Sequence, residues 1–330
     1  MSEKKVILEV KGLRKYFPTR EGGKRKVVKA VDDINLTLYE NETLGLVGES
    51  GCGKSTLGRA IVRLHEPTSG EVHFKGVDVL SQKRRQMRTM RREMQFIFQD
   101  PYSSLNPRMS VFEILSEPLL AHGYFKKGPE LEAYVTDIME KCGLPRYYIY
   151  RYPHQFSGGQ RQRIGIARSL VLNPSFVICD EPVSALDVSI QSQILNLMKE
   201  IQLERKMTYI FISHDLGVVK YISDRVGVMY LGHIVELAGK HQLYDSPIHP
   251  YTRALMSAIP KPDPTEKMEM SMIQGEIPSN VNLPSGCTFH PRCPFAKDIC
   301  KKQEPSTVEV AKEHFVKCHF AQEFAKEAGL

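Results

Sequence analysis

Residues 48–55 form a glycine-rich segment, Gly-Glu-Ser-Gly-Cys-Gly-Lys-Ser, which ends in a lysine and a hydroxyl side chain. It follows the strand-like run Thr43–Val47 and precedes the apolar run Ser55–Leu64, for which we expect a helix. A G-x-x-x-x-G-K-[ST] pattern between a strand and a helix indicates a phosphate-binding loop. Its glycines let backbone N–H groups wrap phosphates, and the helix N-terminus adds partial positive charge. Lys54 is predicted to reach the β- and γ-phosphates of ATP and Ser55 to ligate Mg²⁺. The predicted nucleotide-binding residues of this segment are Gly48, Glu49, Ser50, Gly51, Cys52, Gly53, Lys54, Ser55 and Thr56.

Two carboxylates follow a second apolar run, Phe176–Cys179. If this run is a buried parallel strand, Asp180 and Glu181 emerge at the carboxyl edge of the sheet, where ligands bind in such folds. Asp180 is predicted to hold Mg²⁺ directly or through water. Glu181 is predicted to act as the general base that accepts a proton from the attacking water. The alternative is a pair of surface acids at a strand end.

A third segment, Ser157-Gly158-Gly159-Gln160, opens a predicted helix. Ser157 with Gln160 three residues later fits a capping box, so Ser157 could simply cap its own helix. Two glycines in the first turn nevertheless cost helix stability and leave N–H groups open to an anion. The chain has one phosphate loop, and its helix already supplies one anion site. A second anion site is useful if it closes over the γ-phosphate of another subunit.

Four of the seven cysteines lie within 32 residues, at Cys287, Cys293, Cys300 and Cys318. Structural disulfides are unexpected in a reducing cytoplasm, so the cluster favours metal binding. Four thiolates suit either tetrahedral zinc or a four-iron cluster. Zinc sites usually contain pairs two to four residues apart, and the C-x₅-C-x₆-C-x₁₇-C spacing has none. Free reduced thiols in a Pro-rich tail remain an alternative.

The elements that position these residues alternate after Gly159 between predicted helices and buried strands. That alternation is typical of a parallel sheet with crossover helices, so the expected fold class is α/β. Residues 6–47 contain strand-like runs, and residues from about 100 to 165 are predicted to form a helical subdomain. From Pro247 onward prolines become frequent and helical periodicity fades, and Pro247 and Pro250 favour an extended or turning strap. We expect a nucleotide-binding domain over residues 1–256 and an extension over residues 257–330.

Composition adds few constraints. The 330 residues contain no apolar run near the length of about 18–20 residues that crosses a bilayer, and the N-terminus lacks the apolar core of a secretory signal. The net charge of +7 comes partly from basic runs at Lys24–Lys26 and Lys83–Arg92. No aromatic residues interleave with them as a single-strand nucleic-acid platform requires. Solvated loops and helix faces are the favoured interpretation, and no nucleic-acid partner is expected.

Residues 156–163, Phe-Ser-Gly-Gly-Gln-Arg-Gln-Arg, resemble the signature of ATP-binding-cassette (ABC) ATPases and stand in that family's order relative to the loop and the acid pair. The resemblance implies a P-loop NTPase with a parallel-sheet core, an antiparallel β subdomain and a helical subdomain. It also implies that two such ATPases sandwich ATP between the phosphate loop of one and the signature helix of the other. The resemblance also implies roles for four further positions: Gln99 contacts Mg²⁺ and the attacking water, and His214 contacts the γ-phosphate. Ser184–Asp187 matches the loop that crosses the dimer interface, and Asp187 is counted among the site residues. Phe17 matches the aromatic residue that stacks on adenine, with Tyr16 as the alternative.

Three segments resemble a narrower group, the oligopeptide and dipeptide importer ATPases. They are residues 98–108, residues 152–160 and Pro247-Ile-His-Pro-Tyr-Thr-Arg253, the last of which opens that group's C-terminal extension. Nickel and glutathione importers share these segments. Of the two ATPases usual in such importers, the chain resembles the second, F-type subunit. Related extensions carry iron–sulfur clusters, so this resemblance favours a [4Fe–4S] cluster on Cys287, Cys293, Cys300 and Cys318, with zinc as the alternative.

The resemblance also implies partners and a location. The partners are a second, homologous ATPase that forms a heterodimer with this chain, two transmembrane permease subunits and an extracytoplasmic substrate-binding protein. The chain is expected at the cytoplasmic face of the membrane as a peripheral protein. The helical region around 100–150 is expected to receive the permease, because Gln99 links it to the nucleotide. ABC proteins of chromosomes place a very long coiled coil between loop and signature, whereas only 102 residues separate Lys54 from Ser157 here.

Overall fold

The computed structural model describes residues 4–258 and 275–330. The predicted boundary near residue 256 adjoins residues 259–274, which lie outside the described residues, and it stays a prediction. The strands are β1 (Val6–Glu21), β2 (Lys24–Tyr39), β3 (Thr43–Val47), β4 (Ser69–Phe74), β5 (Val77–Asp78), β6 (Met94–Ile97), β7 (Phe176–Asp180), β8 (Thr208–Ile212), β9 (Arg225–Tyr230), β10 (His233–Gly239), β11 (Thr307–Ala311) and β12 (His314–Lys317).

Helices connect and cover these strands. They are α1 (Lys54–Ile61), α2 (Arg84–Glu93), α3 (Pro101–Ser104), α4 (Val111–Ala121), α5 (Pro129–Lys141), α6 (Gly158–Leu170), α7 (Val188–Arg205), α8 (Leu216–Ile222), α9 (Lys240–Asp245), α10 (Pro250–Ser257), α11 (Asp298–Lys302) and α12 (Ala321–Glu327). Short 3₁₀ turns lie at Arg146–Tyr148, Pro153–Gln155 and His290–Arg292. Across the described ranges, no helix combines the length and the apolar character that crossing a membrane requires.

One compact unit is built from Tyr39–Glu42 and Ser81–Ile212. Its strands β6, β7 and β8 are parallel, with Phe96 opposite Ile178 and Ile178 opposite Ile210. Every residue of β7 and β8 is buried, which explains why apolar residues dominate both strands. Helices α3, α4 and α5 pack against α6. The predicted parallel α/β arrangement and the predicted helical region are both present in this unit.

The basic run Lys83–Arg92 lies largely on helix α2. Met87 is the buried residue of this helix, and its charged side chains face solvent or lie at the surface. A single apolar anchor with solvated charges on the other faces is what a surface helix requires. The structure agrees with the prediction of a solvated helix face.

The second unit contains Lys5–Leu38, Thr43–Leu80 and the described part of Ser213–Leu330. One of its sheets has the strand order β2-β1-β4-β5, with β4 antiparallel to both neighbours. In the other, β3 is parallel to β9, and β10, β12 and β11 continue the order with antiparallel pairing. The antiparallel subdomain implied by the family resemblance is the first of these sheets.

The C-terminal extension differs from its prediction. Proline frequency suggested an extended strap after Pro247, but Pro250 instead begins helix α10. Proline is favoured at the first helical position, because its missing N–H has no partner there in any helix and its fixed φ already suits the helix. In addition, β12 and α12 bury apolar side chains together. The buried residues of this core are Ile248, Val316, Ala321, Phe324 and Ala325.

Candidate functional site

The phosphate loop connects β3 to α1, as predicted, and its lysine is turned into the loop. Lys54 is only 5% exposed, and its Nζ donates to the backbone carbonyls of Gly48 at 2.7 Å and Glu49 at 3.0 Å. These carbonyls are weak substitutes for anionic oxygens, because a charge-assisted hydrogen bond to phosphate is stronger. Lys54 therefore sits where it could exchange loop carbonyls for nucleotide phosphates.

Two glycines of the loop are required by space as well as by backbone conformation. Gly48 and Gly53 have φ values of 149° and 109°, which side-chain-bearing residues rarely adopt. A Cβ on Gly48 would lie 2.1 Å from the carbonyl oxygen of Met229, and one on Gly53 would lie 2.0 Å from that of Ala30. The backbone of β2 and β9 therefore packs directly against the loop at both positions.

Three residues of the C-terminal region that begins at Pro247, called the extension from here on, also touch the loop. The guanidinium of Arg292 pairs with both carboxylate oxygens of Glu49, at 2.8 and 3.0 Å. The Glu49 N–H donates to the hydroxyl of Tyr251 at 3.0 Å. The side-chain amide of Asn280 donates to the Gly51 carbonyl at 2.9 Å. The sequence did not predict these contacts, and the 243 residues between Glu49 and Arg292 leave no local signal for them.

The two candidate adenine-stacking aromatics differ in their contacts. The Tyr16 hydroxyl donates to Asp32 at 2.5 Å, and burial together with this bond raises the pKa of Tyr16 to about 12. The Phe17 ring makes an edge-on contact with His65 and a cation–π contact with Lys15. A hydrogen-bonded hydroxyl fixes a ring, whereas Phe17 retains the freedom to meet a base. These contacts favour Phe17.

The acid pair ends strand β7 in the first unit. Asp180 is fully buried, and Glu181 follows with a positive φ of 46°. Such a backbone conformation costs about 1–3 kcal/mol and is common at functional sites. The side-chain amide of Gln99 donates to the Glu181 carboxylate at 2.9 Å. Two of the residues predicted to handle the attacking water are therefore in direct contact.

The predicted capping box at the start of α6 is present. The Gln160 N–H donates to the Ser157 hydroxyl at 3.4 Å, and the Ser157 N–H donates to the Gln160 side chain at 3.1 Å. Ser157 is exposed, and Gly158 and Gly159 are half-buried. A Cβ on Gly159 would lie 2.6 Å from the Ile190 side chain. The capping box uses the N–H groups of Ser157 and Gln160 and not those of Gly158 and Gly159, so both interpretations of this segment, a helix cap and an anion site, remain compatible with its geometry.

The remaining predicted site residues are at the surface. His214 is exposed just after β8, and Asp187 is the exposed N-cap residue of α7. Ser184, in the same loop as Asp187, donates through its hydroxyl to the Glu181 carbonyl at 3.1 Å. The phosphate loop, Phe17 and His214 belong to the second unit, and Gln99, the acid pair, the signature and Asp187 belong to the first.

The four clustered cysteines line one cavity in the second unit, with His249, Phe289 and Phe320 among its other residues. All four are free thiols. Burial raises the pKa of Cys293 to about 11 and that of Cys318 to about 12. Among residues 4–258 and 275–330, no group of three or more His, Cys, Asp or Glu side chains is arranged to hold a metal ion. The structure therefore brings the predicted cysteines to one cavity without defining a metal ion site.

Comparison with known proteins places this geometry in a family. Residues 31–184 match the family model "ABC transporter", and residues 235–300 match "Oligopeptide/dipeptide transporter, C-terminal region". The chain is 53% identical over 324 residues to the Bacillus subtilis oligopeptide transport ATP-binding protein AppF, covering 96% of this chain and 98% of that protein. It is 50% identical to the Salmonella typhimurium oligopeptide transport ATP-binding protein OppF, covering 96% and 97%.

A solved structure supports the fold. The dimeric post-hydrolysis structure of the ATP-binding cassette MJ0796, bound to ADP and Pi, matches with a TM-score of 0.62 and 27% identity, over 71% of this chain and 99% of that chain. The predicted fold class is confirmed, as is the resemblance that the signature segment indicated. The chain belongs to the ATP-binding proteins of ABC transporters, in the family that carries the oligopeptide/dipeptide transporter C-terminal region.

Proposed function

We propose that this chain is the ATP-hydrolysing subunit of an importer that takes up di- and oligopeptides across the cytoplasmic membrane. The observation that carries the proposal is the similarity to oligopeptide transport ATP-binding proteins over at least 94% of the chain, extension included. The location follows from the partners: the chain lies at the cytoplasmic face, bound to two permease subunits. A homologous ATPase completes the dimer, and a separate binding protein delivers the peptide.

The residues present fit ATP with Mg²⁺. Lys54, Ser55 and Thr56 begin helix α1 and would hold the phosphates and the metal ion, together with Asp180 and Gln99. Mg²⁺ supplies charge neutralisation at the phosphates when bound. The Glu181 carboxylate accepts the proton of the attacking water, and Gln99 orients that carboxylate through their 2.9 Å hydrogen bond. Phe17 stacks on adenine, and His214 contacts the γ-phosphate.

The other half of each site comes from the second ATPase. Ser157, Gly158, Gly159 and Gln160 of one subunit close over the γ-phosphate held by the phosphate loop of the other, and Asp187 lies in the loop at the interface. Closing excludes water and aligns the attack, and hydrolysis reopens the dimer. The permease subunits convert this closing and opening into alternating access.

Reconstitution tests the transport proposal. The chain is assembled in vesicles with its partner ATPase, permeases and binding protein, and labelled di- and oligopeptides, Ni²⁺ and glutathione are offered in parallel. We expect ATP-dependent uptake of peptide, lost when Glu181 is changed to Gln. Uptake of Ni²⁺ or glutathione, with no uptake of peptide, would contradict the proposed substrate but not the proposed ATPase role. ATP hydrolysis without uptake of any of them would contradict the importer.

We also propose that Cys287, Cys293, Cys300 and Cys318 hold a [4Fe–4S] cluster with a structural role. The support is their shared cavity and the backbone N–H groups that hydrogen-bond the sulfurs of Cys287, Cys293 and Cys318. N–H donors to ligand sulfurs are a known means of tuning such clusters. The cluster would tie together four points of the extension, from Cys287 just before the 3₁₀ turn to Cys318 just after β12.

Metal analysis distinguishes the cluster from its alternatives. Protein purified without oxygen should be brown, absorb near 400 nm and contain about four iron atoms per chain. Cys300→Ala should lose the iron, whereas Cys142→Ala, also at a buried cysteine but outside the cavity, should keep it. Stoichiometric zinc without iron would establish the zinc alternative. If the protein contained neither iron nor zinc, the four cysteines would be free thiols.

A further inference from the structure

The second residue of the phosphate loop, Glu49, is held by the C-terminal extension through both its side chain and its backbone. The Arg292 side chain is 7% exposed and the Glu49 side chain 22% exposed, and their two parallel hydrogen bonds form a fork-to-fork pair. Arg292 thereby neutralises the carboxylate that lies on the phosphate-binding loop itself. Unpaired, that carboxylate would repel the phosphates of ATP, since like charges a few ångströms apart repel strongly where water is partly excluded.

The peptide group between Gly48 and Glu49 bridges the loop lysine and the extension. Its carbonyl accepts from Lys54 at 2.7 Å, and its N–H donates to the Tyr251 hydroxyl at 3.0 Å. The C=O and N–H of a trans peptide point in opposite directions, so the two bonds fix the orientation of the peptide plane. Tyr251 is fully buried and packs against Tyr230 and Phe289, which gives its hydroxyl a fixed position.

A third contact holds the loop at Gly51. The Asn280 side-chain amide donates to the Gly51 carbonyl, and the Asn280 backbone carbonyl accepts from the Lys29 N–H at 3.2 Å. The extension does not seal the loop, because a cavity of about 240 Å³ remains beside Glu49–Cys52 and Ile277. Hydrogen bonds from Tyr251, Asn280 and Arg292 therefore converge on Glu49 and Gly51 of one loop.

We infer that Arg292 and Tyr251 are positioning residues for nucleotide binding, so that the C-terminal extension sets the ATP affinity of the phosphate loop. The inference rests on the proposed function in that the loop must bind ATP. Arg292 acts by neutralising and anchoring Glu49, and Tyr251 acts by orienting the 48–49 peptide. ATP is the ligand, and both residues act on it through Glu49.

Two variants of the full chain, each of which removes one positive charge, test the inference. ATP affinity is measured by calorimetry and stability by thermal unfolding. Arg292→Gln should weaken ATP binding about tenfold, as expected for an uncompensated charge beside a charged ligand. Lys297→Gln is the matched control, because it also removes a positive charge from the extension, and its Nζ contacts the ring of Phe320 instead of the loop. Its ATP affinity should equal that of the wild type.

The double variant separates positioning from a general structural role. When Glu49→Gln is added to Arg292→Gln, the unpaired carboxylate disappears, and ATP affinity should return to within about threefold of wild type. If Arg292 only stabilised the fold, the double variant would bind no better than Arg292→Gln. Tyr251→Phe, which leaves the ion pair between Arg292 and Glu49 intact, should weaken ATP binding by several-fold.

The outcomes that overturn the inference differ from those that overturn the proposed function. Arg292→Gln with ATP affinity within twofold of wild type, in a chain that binds ATP and supports peptide uptake, would contradict the inference alone. Failure of the double variant to regain affinity would also contradict it. A wild-type chain that does not bind ATP would contradict the proposed function itself.

Discussion

At the scale of single residues, the predicted chemistry depends on local patterns that the sequence states directly. The phosphate loop and the acid pair Asp180–Glu181 could be predicted because each comes at the end of a short, mostly apolar run, and these runs are strands β3 and β7. Arg292 could not be found in this way. Its role comes from a contact across 243 residues, and no spacing rule relates an arginine after a proline to a glutamate in a distant loop.

The general-base role of Glu181 gives the first prediction. Glu181→Gln should keep ATP binding but lower the ATPase rate of the assembled transporter about 10²–10⁴-fold, because the amide cannot accept the water's proton. It should also accumulate closed dimers. Steady-state hydrolysis and ATP affinity are measured together, and a rate within twofold of wild type would remove Glu181 from this role.

The loop glycines give a second residue-scale prediction with a matched control. Gly53→Ala should abolish most ATP binding, because its Cβ would lie 2.0 Å from the Ala30 carbonyl oxygen and the loop must move. Gly51→Ala meets nothing within 4 Å, although its φ of 77° also disfavours alanine. It should cost only about 1–2 kcal/mol of unfolding free energy. Similar ATP affinities for the two variants would show that the close approach at Gly53 is unimportant.

At the scale of elements, the sequence predicts the strands that are buried on both faces and misses much of the strands that are not. The buried strands β3, β7 and β8 are mostly apolar, whereas β1 and β2 each run for 16 residues and contain several lysines and arginines. Only their most apolar parts, Val6–Val10 and Ile34–Leu38, were predicted. The long polar portions gain their hydrogen bonds from the neighbouring strand, and a single segment does not display that pairing.

The start of helix α6 carries the element-scale prediction. Ser157→Ala removes the cap and should cost about 1 kcal/mol of unfolding free energy. Ser157→Arg loses the same cap and adds a bulky cation where the partner's γ-phosphate is expected. It should therefore stop ATPase turnover of the assembled complex while Ser157→Ala retains much of it. Both variants should bind ATP normally as single chains, because the signature serves the other subunit's nucleotide.

Mixing experiments decide whether Ser157 acts in its own subunit. Ser157→Arg is paired with a partner ATPase mutated in its own phosphate loop, and the surviving sites are counted. If Ser157 acts across the interface, both changes fall on the same composite site and one site survives. Loss of both sites would show that Ser157 acts on the nucleotide of its own chain.

At the scale of the whole molecule, the extension is a folded part of the second unit. Its core joins Ile248 to residues about 70 positions later, Val316 and Phe324. Strand β12 pairs with β10, with Glu236 opposite Val316. Sequence patterns underestimated it because its helices are only five to eight residues long, too short for a periodic signal. Tertiary contacts supply the stability that such short helices lack alone.

The last prediction concerns the isolated chain. It holds one phosphate loop and one signature, and in the proposed dimer these serve two different nucleotides. The purified chain should therefore bind ATP but hydrolyse it poorly at concentrations too low for self-association, and the rate per chain should rise when the homologous ATPase is added. A partner carrying its own Ser157-equivalent cation gives the control, because it can associate without completing the site at this chain's loop. Full turnover by the dilute isolated chain would mean that its own residues complete the site, and would contradict the dimer requirement.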